Sequence, residues 1–217
     1  MMAERHKGRL LGAGRGRGPQ RRRKRRYLVV TNGEVTEPEY LRGLESELDD
    51  VVVEIRPVRR DPAGLAKYAK DLVGKERMAN SGRGVDGFRR TFVITDVDEF
   101  TVRSFQNADR ICKDSGIELI ISNPCFEVWL IDYEMACPEG FTQTRIVEHK
   151  AKQMGLVGGA GDKNIDYEKL RGRHESACKN ASVHNARKRQ QRRQCLDTVD
   201  FGPWTDMPAI AEEFMSA

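Results

Sequence analysis

Two short apolar runs, each followed at once by carboxylates, constrain the fold of this chain more than any other feature. The runs are residues 27–31 and 91–94, and the acids that follow them are Glu34, Glu37, Asp96 and Asp98. Continuous apolar runs are typical of strands that are buried on both faces of a parallel sheet. Because sites in open α/β sheets lie at the carboxyl ends of strands, we expect the four acids to converge.

Converging carboxylates repel one another unless a cation or shared protons neutralise them. Oxygen ligands of this kind suit a hard cation, Mg²⁺ or Mn²⁺. In an extended segment, residues two apart point to the same side, so Asp96 and Asp98 can share one ion. The alternative is an acidic loop or a helix N-cap. We therefore predict that Asp96 and Asp98 bind metal, with Glu34 and Glu37 near them at the strand ends.

A helix is expected directly after the first run. Thr36 is a candidate N-cap, and Glu39 three residues later completes the pattern of a capping box. Pro38 falls in the first turn, where its missing N–H is harmless. For Glu37 and Glu39 the alternative role is complementing the helix dipole.

Strands and helices alternate through the first two thirds of the chain. Further strands are predicted at 51–58 and 117–121. Helices are predicted at 62–78, where Asp61-Pro62 marks the start, and at 103–114, where Ser115-Gly116 marks the end. This alternation indicates an α/β fold with an open, mostly parallel sheet flanked by helices. From about Thr142 onward the pattern predicts helices only, which form an α-helical C-terminal extension.

A third polar segment follows the run 117–121. Ser122 and Asn123 end that strand, and Glu127 lies at the start of the next predicted helix. We predict that these three residues and Asn32 support the rim of the same site. For Glu127, helix-dipole complementarity is again the alternative.

The positive charge of the chain is concentrated at its N-terminus. Residues 1–26 hold eleven Lys and Arg and one Glu, so the rest of the chain has a net charge of −5 out of a total of +5. A Gly/Arg-rich segment cannot bury a core and is expected to be disordered. It can bind phosphate backbones or serve only for solubility. The candidate nucleic-acid-binding residues in this tail and on the basic helix 174–196 are Arg21, Arg22, Arg23, Lys24, Arg25, Arg26, Arg187 and Arg189.

Several classes of protein do not fit the sequence. No apolar run approaches the length of a membrane span, and the basic N-terminus has no apolar segment of a signal peptide, so we expect a cytoplasmic protein. Five cysteines without a C-x-x-C pair argue against a disulfide framework or a structural zinc site. The histidines lack zinc-ligand spacing, and His149, His174 and His184 are predicted on helix surfaces.

Three motifs of this chain resemble the signatures of the RloB-like family. They are Asn32-Gly33-Glu34-Val35-Thr36-Glu37-Pro38-Glu39-Tyr40, the pair Asp96-x-Asp98, and Ser122-Asn123-Pro124-Cys125-Phe126-Glu127-Val128-Trp129-Leu130. The resemblance covers roughly residues 26–216. It implies a Toprim-like α/β fold, a Mg²⁺ site for phosphodiester chemistry, and genes in restriction-modification or phage-defence loci, often beside an AAA-type ATPase. The expected domains are the tail 1–26, the Toprim-like domain 27–140 and the extension 141–217.

One departure from the family pattern concerns the catalytic glutamate. Members commonly read Cys-Glu-Gly-Glu where this chain reads Thr31-Asn32-Gly33-Glu34, and an amide cannot act as a general base. Either Glu34 or Glu37 supplies the missing carboxylate, or activity is altered or absent. The first hypothesis is therefore a Mg²⁺-dependent nuclease in which Asp96, Asp98 and Glu34 bind the metal, and in which these three residues and Glu37 are catalytic. The second is a non-catalytic subunit that binds nucleic acid or an AAA-type ATPase. A nucleotide-phosphate enzyme is a third.

Overall fold

A computed structural model of the chain describes residues 23–81, 87–97, 100–194 and 202–216, without the side chains of 186–194. The strands are β1 (Arg25–Thr31), β2 (Val51–Pro57), β3 (Arg90–Asp96), β4 (Glu118–Asn123), β5 (Val157–Gly158), β6 (Asn164–Ile165) and β7 (Trp204–Thr205). The helices are α1 (Thr36–Ser46), α2 (Pro62–Asn80), α3 (Val102–Ser115), α4 (Glu127–Asp132), α5 (Thr144–Gln153), α6 (His174–Gln194) and α7 (Met207–Met215). Within these residues, no helix has the length and apolar character needed to span a membrane.

Five strands form one sheet in the order β2-β1-β3-β4-β7, and all neighbours except β4 and β7 are parallel. Residues 27–31 at its centre are buried, as a strand covered on both faces requires. Alternate β1 residues pack on opposite faces. Leu28 and Val30 pack with α2 and α3, whereas Tyr27 and Val29 belong to the core that includes α1, α4 and α7. The predicted α/β fold is confirmed.

The ends of α2 and α3 follow from local chemistry. Asp61 caps α2 by accepting a hydrogen bond from the amide of Gly64 at 3.0 Å, and Pro62 occupies the first turn. Gly116 ends α3 in the left-handed conformation, with φ of 67°, which costs glycine little.

The predicted capping box of α1 is wrong. The side chain of Thr36 donates instead to the carbonyl oxygen of Lys163 at 3.0 Å. The carboxylate of Glu39 accepts from the amide of Ile165 at 2.8 Å and from the side chain of Asn164 at 2.7 Å. Both side chains thus bond to the hairpin β5–β6 and its connecting segment instead of capping α1. These bonds hold the hairpin against the N-terminal turn of α1.

The C-terminal part contains helices α5, α6 and α7, but the prediction of helices only is wrong. The hairpin β5–β6 forms within the glycine-rich segment, and β7 extends the main sheet by pairing with Ser122 and Asn123 of β4. These strands have two residues each, which is too short to give a period in the sequence.

The strand β1 begins at Arg25, so Arg25 and Arg26 belong to the sheet and not to the tail. Arg25 forms an ion pair with Asp50 at 2.9 Å and donates to the carbonyl oxygens of Phe214 and Ser216 at the end of α7. Arg26 pairs with Glu76 at 2.7 Å. Both guanidiniums therefore have acidic partners within the domain.

Two histidines predicted on helix surfaces are buried. His174 bonds to the hydroxyl of Tyr133 at 2.6 Å and to the carboxylate of Glu47 at 2.9 Å. His184 lies 2.9 Å from both carboxylate oxygens of Asp132. Each pair attaches α6 to another part of the domain and gives the buried ring an acidic partner. His149 is exposed, as predicted.

Candidate functional site

A cavity of about 590 Å³ lies at the carboxyl ends of the parallel strands. It is open at one side and lined by residues that follow β1, β2, β3 and β4. Its ionisable and amide-bearing lining residues are Asn32, Glu34, Glu37, Arg59, Arg60, Asp61, Asp96, Glu127 and Lys163. The structure therefore brings Glu34, Glu37 and Asp96 to one cavity, together with the predicted rim residues Asn32 and Glu127.

Glu37 is a buried carboxylate that lines this cavity, and Glu127 is another. Glu37 lies in the first turn of α1, is only 4% exposed, and accepts a hydrogen bond from the amide of Gly33 at 3.0 Å. A Cβ atom at position 33 would overlap its carboxylate, so the approach requires glycine. Burial, reinforced by the negative charge of Glu127, raises the pKa of Glu37 to about 7.

This raised pKa links stability to pH. Because the folded-state pKa of Glu37 exceeds its ordinary value of 4.5, its contribution to stability is complete below pH 4.5 and is lost as pH rises through about 7. In EDTA, we expect the free energy of unfolding of the wild type to fall by about 3 kcal/mol over that interval relative to Glu37→Gln. Urea unfolding at several pH values measures this, and parallel curves for the two proteins would contradict the desolvation of Glu37.

Lys163 supplies positive charge beside the acids at the cavity floor. Its ammonium lies 3.8 Å from the carboxylate of Glu127, which is buried, and 2.8 Å from the exposed carboxylate of Glu148. Although burial opposes it, the pKa of Lys163 is raised by these two carboxylates. Lys163 therefore remains a cation and partly neutralises the pair formed by Glu37 and Glu127.

Glu34 lies at the mouth of the cavity and not at its floor. Its side chain is 48% exposed, and its carboxylate pairs with Arg59 at 2.7 Å. Asn32, which directly follows β1, is partly buried and lines the same cavity. The two candidates for the missing carboxylate thus differ in setting, because Glu37 is desolvated whereas Glu34 is solvated and already paired.

The remaining predicted residues are placed as follows. Ser122 and Asn123 are fully buried, and the hydroxyl of Ser122 bonds to that of Thr205 at 2.8 Å because β7 covers this strand end. Asp98, Arg21 and Arg22 lie outside the described residues. Arg187 and Arg189 lie on α6, in the stretch whose side chains are not described.

The donor chemistry of the cavity fits a hard divalent cation. Its carboxylate oxygens and the amide of Asn32 are all oxygen donors of the kind that Mg²⁺ and Mn²⁺ prefer. Among the residues that the structure describes, no group of three or more His, Cys, Asp or Glu is arranged to hold a metal ion. Mg²⁺ is commonly bound by one or two carboxylates together with substrate phosphates and water, so the site does not need a complete cage.

Three further candidate residues of the cavity, Arg59, Arg60 and Lys163, were not predicted from the sequence. The two arginines lie shortly after the end of β2, so the rule that placed the acids at strand ends could also have identified them. Lys163 has no such signal, because it reaches the cavity only through the hairpin that is fixed to α1.

Comparison with known proteins gives a family match. The family model described as RloB-like protein matches residues 27–214, which is most of the chain. No curated protein matches the chain, and no solved structure matches it either.

Proposed function

The chain belongs to the RloB-like protein family, and from this membership we propose that it is a Mg²⁺- or Mn²⁺-dependent nuclease that cleaves phosphodiester bonds in DNA or RNA, with tRNA among the candidates. The observation that carries the proposal is the cavity at the strand ends. There Glu37 and Glu127, 4% and 3% exposed, lie with Asp96.

Metal binding is assigned to Asp96 and Asp98, with Glu34 as the further predicted ligand. The ion would stabilise charge on the attacking and leaving oxygens. Glu37 takes the proton of the attacking water, because a buried carboxyl group with a pKa near the working pH is suited to general base catalysis. In this role it substitutes for the family glutamate at position 32. The amide of Gly33 holds its carboxylate in place.

The cellular setting is proposed from the family. RloB-like proteins are associated with restriction-modification and phage-defence loci, so we propose a role in a bacterial anti-phage or abortive-infection system, acting in the cytoplasm with an AAA-type ATPase. The basic tail and the basic end of α6 would draw in the polyanion.

The test is cleavage by the purified full chain. Labelled tRNA, single-stranded RNA and plasmid DNA are incubated with Mg²⁺, Mn²⁺ or EDTA, with and without the co-encoded ATPase. Cleavage is expected only with metal. It should be at least about tenfold slower with Asp96→Asn, and this difference would exclude a contaminating nuclease. Cleavage that persists in EDTA, or is equal in the variant, would contradict the proposal.

A second candidate is a non-catalytic subunit that binds nucleic acid or the ATPase. It is favoured by Asn32, which stands where the family glutamate is expected, and by the pairing of Glu34 with Arg59. Nucleic-acid or ATPase binding without cleavage of any substrate, even with the ATPase present, would support this candidate.

A further inference from the structure

Two arginines lie at the mouth of the cavity, above its buried acids. Arg59 and Arg60 follow β2 and line the same cavity as Glu37 and Glu127. The side chain of Arg59 is 80% exposed. The guanidinium of Arg60 lies over the ring of Tyr68, 5.0 Å from its centroid. The cavity therefore has carboxylates at its floor and exposed guanidiniums at its opening.

We propose that Arg59 and Arg60 form a phosphate subsite that receives the backbone of a nucleic-acid strand, and that Glu34 is a counter-ion which the phosphate replaces on Arg59. The inference rests on the proposed function, since it names the groups that would place a strand over the acids. It also assigns Glu34 a role in substrate admission that is separate from metal binding.

A phosphate can replace Glu34 as the partner of Arg59 at a low cost in free energy. Both side chains are well exposed, at 48% and 80%, and an ion pair in such a setting contributes only about 0–1 kcal/mol. A phosphate presents oxygens to the same fork of guanidinium N–H groups in a bidentate geometry. A phosphodiester therefore competes for Arg59 without disturbing the fold.

Arg60 is positioned differently, by its contact with Tyr68 on α2. A guanidinium that stacks on an aromatic ring keeps its N–H groups available in the plane of the fork. Among the described lining residues, Lys163 is the remaining cation, but its ammonium already contacts Glu148 and Glu127. The two arginines are thus the cations best placed to meet an incoming strand.

The test is the affinity of the full chain for a fluorescein-labelled single-stranded 12-mer, measured by anisotropy in EDTA at several salt concentrations. We expect the double variant Arg59→Gln/Arg60→Gln to bind on the order of tenfold more weakly. The plot of the logarithm of the association constant against the logarithm of the salt concentration should become less steep by about 1.4. Arg56→Gln is the matched control. Arg56 is an exposed arginine of β2 whose partner is Glu54, at 2.6 Å, and it does not belong to the lining.

A second comparison tests the counter-ion. Glu34→Gln is expected to raise the affinity about threefold by releasing Arg59, a gain within the small energy of an exposed ion pair. The gain should disappear in the Arg59→Gln background. If the gain came only from the change in net charge, it would persist in the Arg59→Gln background. It would also be seen with Glu54→Gln, which removes one negative charge from β2.

The outcomes separate this inference from the proposed function. Equal affinity and salt slope for the double variant and the wild type would overturn the subsite, as would absence of wild-type binding or a Glu34→Gln gain that survives without Arg59. Arginine-dependent binding by a protein that cleaves nothing would keep the subsite and overturn the nuclease. Cleavage at an unchanged rate in the double variant would keep the nuclease and overturn the subsite.

Discussion

Replacing Glu37 with Gln is expected to slow phosphodiester cleavage by about 10²–10⁴-fold, the usual contribution of a general base. Gln keeps the size of the side chain and an oxygen that can accept from the amide of Gly33, but it cannot take a proton. Glu37 is almost fully buried, so the substitution also removes the cost of burying an ionisable carboxyl group. For this reason the folded state should remain intact. The loss would therefore be chemical.

The measurement is the single-turnover rate with saturating metal, on whichever substrate the protein cleaves. Glu45→Gln is the matched control. Glu45 lies on the same helix, and its carboxylate accepts from the amide of Val53 at 3.1 Å, away from the cavity lining. If Glu37→Gln retains the wild-type rate whereas Glu34→Gln loses it, Glu34 is the residue that replaces the family glutamate.

Replacing Phe214 with Ala is expected to lower the free energy of unfolding by about 3–5 kcal/mol, as for other large aromatic side chains in a core. Phe214 lies on α7 and is fully buried. Its ring centroid is 4.5 Å from that of Tyr27 on β1 and 6.2 Å from that of Phe92 on β3. Truncation would leave a cavity against the two central strands of the sheet.

Urea unfolding of the full chain measures this effect. The adjacent Met215→Ala is the matched control, because Met215 is 46% exposed and belongs to the same helix turn; a change within about 0.5 kcal/mol is expected for such a surface position. Equal midpoints for the two variants would mean that α7 does not unfold together with the sheet.

The parts of the fold that the sequence predicted are those set by local chemistry. The apolar runs of β1 and β3, the Asp61-Pro62 start of α2 and the Gly116 end of α3 are properties of a few consecutive residues. Such residues adopt the same conformation in many tertiary settings, because the hydrogen bonds and backbone angles involved are their own. The rule for strand ends in α/β sheets then gave the position of the cavity.

The details of the site were decided by contacts between distant residues. Thr36 matched a capping pattern but bonds to Lys163, 127 residues away, and Arg25 matched a basic tail but caps the end of α7. His174 and His184 have no local sign of burial, since their partners Glu47 and Asp132 lie on other elements.

The sequence alone thus determined the alternation of strands and helices and the gathering of acids at one edge of the sheet. The tertiary structure decided which of these acids is desolvated, which is paired with an arginine, and which cation neutralises them. The physical reason is that burial and charge pairing depend on the path of the whole chain around a residue, whereas strand and helix patterns depend mainly on near neighbours.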